Sequence, residues 1–171
     1  MDSARRIPGY DLWRITIPGL IPFAFNAAGD HWCFSTRKTT SPGECEIWFC
    51  PHDEELGETY APTFPAWFYR NSLSYAMGGF DNDPRSIKEA KANLRTWSKR
   101  LAEIHPGKWA EHLSELADGE PFLYKHLKLN ASVPPLFGFI TAMDVDAIVK
   151  DQFGKRHLNR KVKWGTFPKD E

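Results

Sequence analysis

Apolar and polar residues alternate with period two through much of the first 50 positions. Trp13, Ile15 and Ile17 alternate with Leu12, Arg14 and Thr16 between the turn dipeptides Pro8-Gly9 and Pro18-Gly19, which predicts a strand. Leu20 to Phe25 is a second apolar run, and Pro22 inside it points to a sheet edge or a strand start, because proline cannot donate to a ladder. Asn26 to Asp30 has turn composition. His31-Trp32-Cys33-Phe34-Ser35 then alternates again, with Trp32 and Phe34 on one face. Pro42-Gly43 marks a turn between Thr39 and Glu44, and Glu46-Ile47-Trp48-Phe49-Cys50 is a third strong strand. Short strands separated by turn residues predict an antiparallel meander.

The period changes after this block. Thr63 suits the N-cap of a helix whose apolar face runs through Trp67, Phe68 and Leu73 and which ends at Gly78-Gly79. Ile87, Ala90, Leu94, Trp97, Leu101 and Ile104 fall three and four apart, a single helical stripe. Asp83 or Ser86 can cap that helix, Pro84 suits its first turn, Ser86 and Glu89 fit a capping box, and His105-Pro106-Gly107 stops it. A shorter amphipathic helix follows with Trp109, Leu113 and Leu116. Residues 120–135 fit no clear period. Leu136 to Thr141 reads as a buried strand, and Thr141 caps a helix with Val145, Ile148, Val149 and Phe153 inward and Gly154 at its end. Arg160 to Trp164 alternates as a last strand. The order predicts an α+β fold, a curved antiparallel sheet flanked by helices. Phe80 to Pro84 divides it into a sheet core and first helix over 1–80 and a helical and strand part over 81–171, packed on the same domain.

Composition narrows the function. A chain of 171 residues, 42% hydrophobic and 26% charged, has the size and make-up of an ordinary globular domain. The 22 basic and 22 acidic residues cancel, so no overall field favours nucleic acid or a membrane surface. The charge is uneven, however: residues 1–80 hold six Lys or Arg against nine Asp or Glu, and residues 121–171 hold nine against five. Three cysteines are too few and too odd for a disulfide framework and fit a reducing compartment. No apolar run approaches the ~18 residues a membrane helix needs, and no leader-like segment opens the chain, so the expected setting is the cytoplasm.

The candidate chemistry is sparse. His31, Cys33, Cys45, Cys50 and His52 are metal-ligand types, and a metal-dependent enzyme built on them is one reading. Cys45 and Cys50 stand an odd number apart, which turns them to opposite faces of a regular strand, and the spacing matches no common zinc knuckle. The plainer account makes Cys33 and Cys50 small core residues. Asp53, Glu54, Glu55 and Glu58 form an acidic run. It could supply an acid and a base, but nothing nearby splits the acidities, and a solvated loop or a docking surface for a basic partner explains it more simply. No nucleophile elbow, phosphate loop or dinucleotide fingerprint occurs, so neither an enzyme nor a cofactor is expected. Lys155, Arg156, Arg160, Lys161 and Lys163 read as a charged surface and edge strand.

The run Leu20-Ile21-Pro22-Phe23-Ala24-Phe25, with Asn26 to Asp30 and His31-Trp32-Cys33-Phe34 after it, resembles the central motif of the SUKH superfamily. That superfamily includes the yeast cell-wall-synthesis regulator and many bacterial toxin-immunity proteins. Glu46 to Phe49 is similar to its next strand, His52-Asp53-Glu54-Glu55 to its acidic loop, and Thr63 to Phe68 to its helix start. The likeness spans about residues 12–75. Members usually begin with a helix before the first strand, and only about a dozen residues precede it here. The resemblance implies a non-enzymatic protein-binding domain, typically one that neutralises a cognate toxin; an intracellular regulatory or scaffold protein of the same fold is the alternative. Asp30, Asp53, Glu54, Glu55 and Glu58 are the residues expected to meet that protein partner, with neither nucleic acid nor membrane involved.

Overall fold

The computed structural model describes residues 19–41, 43–54, 56–81, 83–124, 136–154, 158 and 160–163. The strand expected at Leu12 to Ile17 lies outside them. Four strands follow in sequence: β1 (Leu20–Phe25), β2 (His31–Ser41), β3 (Glu44–Cys50) and β4 (Leu56–Ala61). Each pairs antiparallel with the next, and β8 (Lys161–Lys163) closes on β4 from the far end of the chain, giving the order β1-β2-β3-β4-β8. Pro22 thus sits on an edge strand of the described sheet, where its missing N–H costs no ladder bond.

Both faces of this sheet are built from the alternation. A bulge between Pro22 and Ala24 keeps Phe23 on the same side as Trp32 and Phe34. Phe23 packs on Phe34 at 4.3 Å and edge-on to Trp67 at 4.9 Å. That side receives α1 (Phe64–Ala76), whose N-cap Thr63 accepts from the Ala66 N–H at 3.3 Å and whose first turn holds Pro65. Arg70 of α1 spans its guanidinium over the Tyr60 ring at 3.9 Å and donates to the Tyr60 carbonyl at 2.6 Å, fastening the helix to β4. The opposite side carries a second buried cluster of Leu20, Cys33, Trp48, Cys50 and Val162. Here the Glu46 carboxylate, almost wholly buried, accepts from the Trp48 indole at 2.8 Å and from Arg160 at 2.7 Å.

A helical layer packs on the outer side of α1. α2 (Pro84–Ile104) begins at Asp83, which caps the Arg85 N–H at 3.0 Å, so of the two candidate caps Asp83 is the one used. It forms a hairpin with α3 (Lys108–Asp118), tied by Ser98 donating to the Ala110 carbonyl at 2.7 Å. α4 (Ala142–Phe153) starts at its Thr141 cap as expected. Leu73, Leu94, Leu101, Leu113, Val149 and Phe153 form one core from all four helices, continuous with Ile47 of the sheet. Tyr69 lies flat against Trp109 at 5.2 Å and its hydroxyl meets Nδ1 of His112 at 2.7 Å.

A small second sheet joins β5 (Phe80–Asp81), β7 (Leu136–Gly138) and β6 (Phe122–Tyr124) in the order β5-β7-β6. The segment expected to be a boundary at Phe80 therefore contains a strand. β7 docks where α1 ends, through two glycines: a Cβ on Gly78 would run into the Phe137 carbonyl, and one on Gly138 into that of Met77. Phe139 N–H donates to the Ala76 carbonyl at 2.8 Å in the same contact. Among the described residues no helix is long and apolar enough to cross a membrane.

Candidate functional site

The β1–β2 turn organises itself around Asn26. Its Oδ1 accepts from the N–H groups of Ala28 and Asp30, each at 3.0 Å, and its Nδ2 donates to Asp30 Oδ2 at 2.9 Å. Gly29 supplies the positive φ of 91° that the turn needs. The result aims the Asp30 carboxylate across the sheet end at the residues following β3. Asp30 Oδ1 accepts from the His52 backbone N–H at 3.1 Å and lies 2.9 Å from His52 Nδ1. One carboxylate thus clips the β1–β2 turn to the β3–β4 connection.

The electrostatics follow from that clip. Partial desolvation pushes the Asp30 pKa upward, but hydrogen bonds from His52 and Asn26 outweigh it and leave the carboxyl below its usual value. The same hydrogen bond raises His52 above the usual imidazole value, with Asp53 adding a smaller push in the same direction. His31, on the other side of Asp30, is held down chiefly by burial and also by the His52 charge, against the pull of Asp30. Two histidines beside one carboxylate therefore titrate apart. One oxygen or nitrogen each of Asp30, His52 and Asp53 lies within 4.8 Å of the others, a spacing that could hold a cation.

The sequence-predicted site residues separate into two groups. Asp30, Asp53 and Glu54 gather at one end of the sheet, Asp53 and Glu54 exposed and Asp30 largely covered, its side chain 16% exposed. Glu55 lies outside the described residues. Glu58 is not in a loop. It belongs to β4, opposite Lys161 in register and 3.7 Å from its ammonium group. The acidic run had hidden this strand because its inward residues are Gly57, Thr59 and Ala61, too small and polar to show an apolar alternation.

The metal-type residues do not converge as a set. Cys33 and Cys50 are fully buried neighbours on β2 and β3, and their thiols share a hydrogen bond that lowers Cys33 while raising Cys50 strongly. Cys45 stands at the other end of β3, and the His52 Nδ1 belongs to Asp30. Of the tryptophans on the apolar strand faces and helix stripes, Trp48 is buried and Trp32, Trp67, Trp97 and Trp109 are half-buried.

Sequence reasoning named His52 and the Asn26 turn but missed the tie between them. It also missed Phe25, which pairs with His31 beside the clip and is 63% exposed. An aromatic residue closing a strand next to a polar turn was the available signal.

A search of curated proteins and a search of solved structures each found no match. The sequence model of the SMI1 / KNR4 family (SUKH-1) matches residues 5–70. The matched stretch contains β1 to β4, the Asp30–His52 clip and the first half of α1. The described helices and five-stranded antiparallel sheet form an α+β arrangement consistent with that fold, and over residues 5–70 the chain is similar to the SUKH-1 family.

Proposed function

We propose that the chain is a non-enzymatic protein-binding domain of the immunity type, which neutralises a cognate toxin by direct binding in the cytoplasm. The observation that carries this reading is the sheet end at Phe25, Asp53 and Glu54. There an exposed aromatic ring ending β1 shares the sheet end with two exposed carboxylates on a turn that Asp30 and His52 hold in place. A rigid apolar anchor with a charged rim is what a protein interface concentrates its binding energy on. Carboxylates on the rim speed encounter with a basic partner such as a nuclease domain. Glu55 and Glu58 extend the acidic character along the chain, Glu58 from within β4.

The test is co-expression with the toxin domain encoded by a neighbouring gene, scored by survival and by the affinity of the purified pair. The expected result is protection and a complex of nanomolar affinity. Charge reversal at Asp53 and Glu54 should slow association roughly tenfold at low salt and much less at high salt, and Phe25→Ala should speed dissociation. Failure to bind or protect against any adjacent toxin overturns the reading. The family model bears the name of the SMI1 / KNR4 proteins, which favours the second reading, a regulatory or scaffold domain. Pull-down of housekeeping proteins instead of a toxin would select it.

A further inference from the structure

A groove of about 370 Å³ lies between the N-terminal half of α2 and the small sheet, on elements beyond the family match at residues 5–70. Its floor is apolar, made by Ile87, Pro121 and Phe137. Leu123 pairs with Phe137 on the same sheet face, continues that floor, and is 48% exposed. One wall is a row of cations: Lys88, Lys91 and Arg95 fall three and four apart and so share a face of α2.

The three cations are not equally engaged. Arg95 donates from two nitrogens to Asp118 at 2.9 and 3.3 Å and is anchored to the end of α3. Lys91 reaches Glu120 at 3.6 Å, but that carboxylate is 91% exposed, so the pair is worth only a fraction of a kcal/mol. Lys88 is exposed and has no ion-pair partner among the described residues. Among the described residues Lys88 is thus unpaired and Lys91, its side chain 19% exposed, only loosely paired along an apolar trough.

We propose that this groove binds an extended acidic segment of a partner protein, in which carboxylate and large apolar side chains alternate. The fit is one of charge and of spacing. Helix rise places Lys88 and Lys91 about 4.5 Å apart along the axis, and their long side chains can reach the roughly 7 Å between alternate, same-side residues of an extended chain. Alternate side chains of such a segment point to opposite sides, carboxylates toward α2 and an apolar residue toward Phe137 and Leu123. The volume lies near the lower end of ligand pockets, enough for one large side chain and its flanking backbone. A nucleic acid suits the groove less well, because Asp118 and Glu120 stand at its cationic wall and much of the lining is apolar.

The proposal does not depend on toxin binding at the sheet end, and its test is separate. A random peptide library is panned on the full chain, and the selected peptides are measured by fluorescence anisotropy. Enriched peptides should alternate acidic and apolar residues. Lys88→Glu with Lys91→Glu should weaken them roughly tenfold or more, as removal of paired interface charges does. Leu123→Ser should weaken them severalfold, and charge reversal at Asp53 and Glu54 should leave them unchanged. Thermal melts of each variant confirm that it folds, and Lys88→Gln with Lys91→Gln gives a milder check. Peptides without acidic residues, or peptides insensitive to the α2 changes, overturn the proposal. So does a single-stranded oligonucleotide that binds more tightly than the peptides and depends on the same lysines.

Discussion

The sheet end around Asp30 and the groove beside α2 carry opposite charge and are built in opposite ways. The acidic end is closed within itself. Asn26, Asp30 and His52 are joined by hydrogen bonds, so much of its charge fixes backbone, and among the described acidic residues there Asp53 and Glu54 face outward. The basic groove is open. Its lysines sit on a helix held in place by Ala90, Leu94 and Leu101, so the charges themselves contribute little to the fold. One region spends its polar groups on shape, and the other leaves them for a ligand. Changes at the acidic end should therefore cost stability as well as binding, and changes at the groove wall binding alone.

The largest effect should come from breaking the groove through its floor. Gly138→Ala places a Cβ against the Met77 carbonyl at the end of α1. Neither segment can yield, because Phe139 N–H is bonded to Ala76 O beside the clash. Overpacking of this kind costs about 1–3 kcal/mol, read as a lower denaturation midpoint. Peptide binding at the groove should fall with it as Phe137 shifts, while the His52 titration stays as in the wild type. Equal disturbance of both regions would show that they are not separable.

Next in size is Asp30→Ala, which breaks the acidic end. It strips His52 N–H, His52 Nδ1 and Asn26 Nδ2 of their acceptor. Water can reach part of the site, so the loss should be about 1–2 kcal/mol, in the range for hydrogen bonds to a charged group. The sharper readout is NMR of the His52 ring, whose pKa should drop back toward the ordinary value. If stability were unchanged, the clip would not be shaping the turn. Lys88→Glu should sit well below both, within about 0.5 kcal/mol of wild type, since its side chain is exposed.

The contrast also explains what could be read from the residues in order. The β1–β2 turn of the acidic end is made of local signals, an Asn four residues before an Asp, a glycine between them and strongly alternating strands on either side, but its tie to His52 spans 22 positions and was not legible. The helices were legible for a similar reason, with Thr63, Asp83 and Thr141 all capping where their spacing placed them. Residues that depend on distant partners were not. β4 was concealed because Gly57, Thr59 and Ala61 are buried only by virtue of the strands on both sides. β5 and β6 are two and three residues long, and nothing local marks them as a sheet with β7. The cationic stripe of α2 was visible as polar positions, but its apolar floor comes from Pro121 and Phe137, far along the chain. A groove assembled from separate segments has no signature in any one of them.

The finest test concerns the pH window of the acidic end. His52 is raised in the folded state, so its contribution is complete below the unfolded value of 6.5 and is lost as pH rises through the higher folded value. Asp30 is lowered, so its contribution is present above the unfolded value of 3.8 and is lost as pH falls through the lower folded value. The clip is therefore strongest in mildly acidic solution, with Asp30 ionised and His52 protonated together. Asp53 adds to the His52 shift only through space, after the Asp30 hydrogen bond. Asp53→Asn should lower the His52 pKa by less than Asp30→Asn does, and leave the turn's hydrogen bonds in place. Added salt should shrink the Asp53 part more than the Asp30 part, because an exposed charge acting through water is screened and a direct hydrogen bond is not. If the two substitutions moved His52 equally, the clip would be a diffuse field effect and the difference between a closed acidic end and an open basic groove would lose its physical basis.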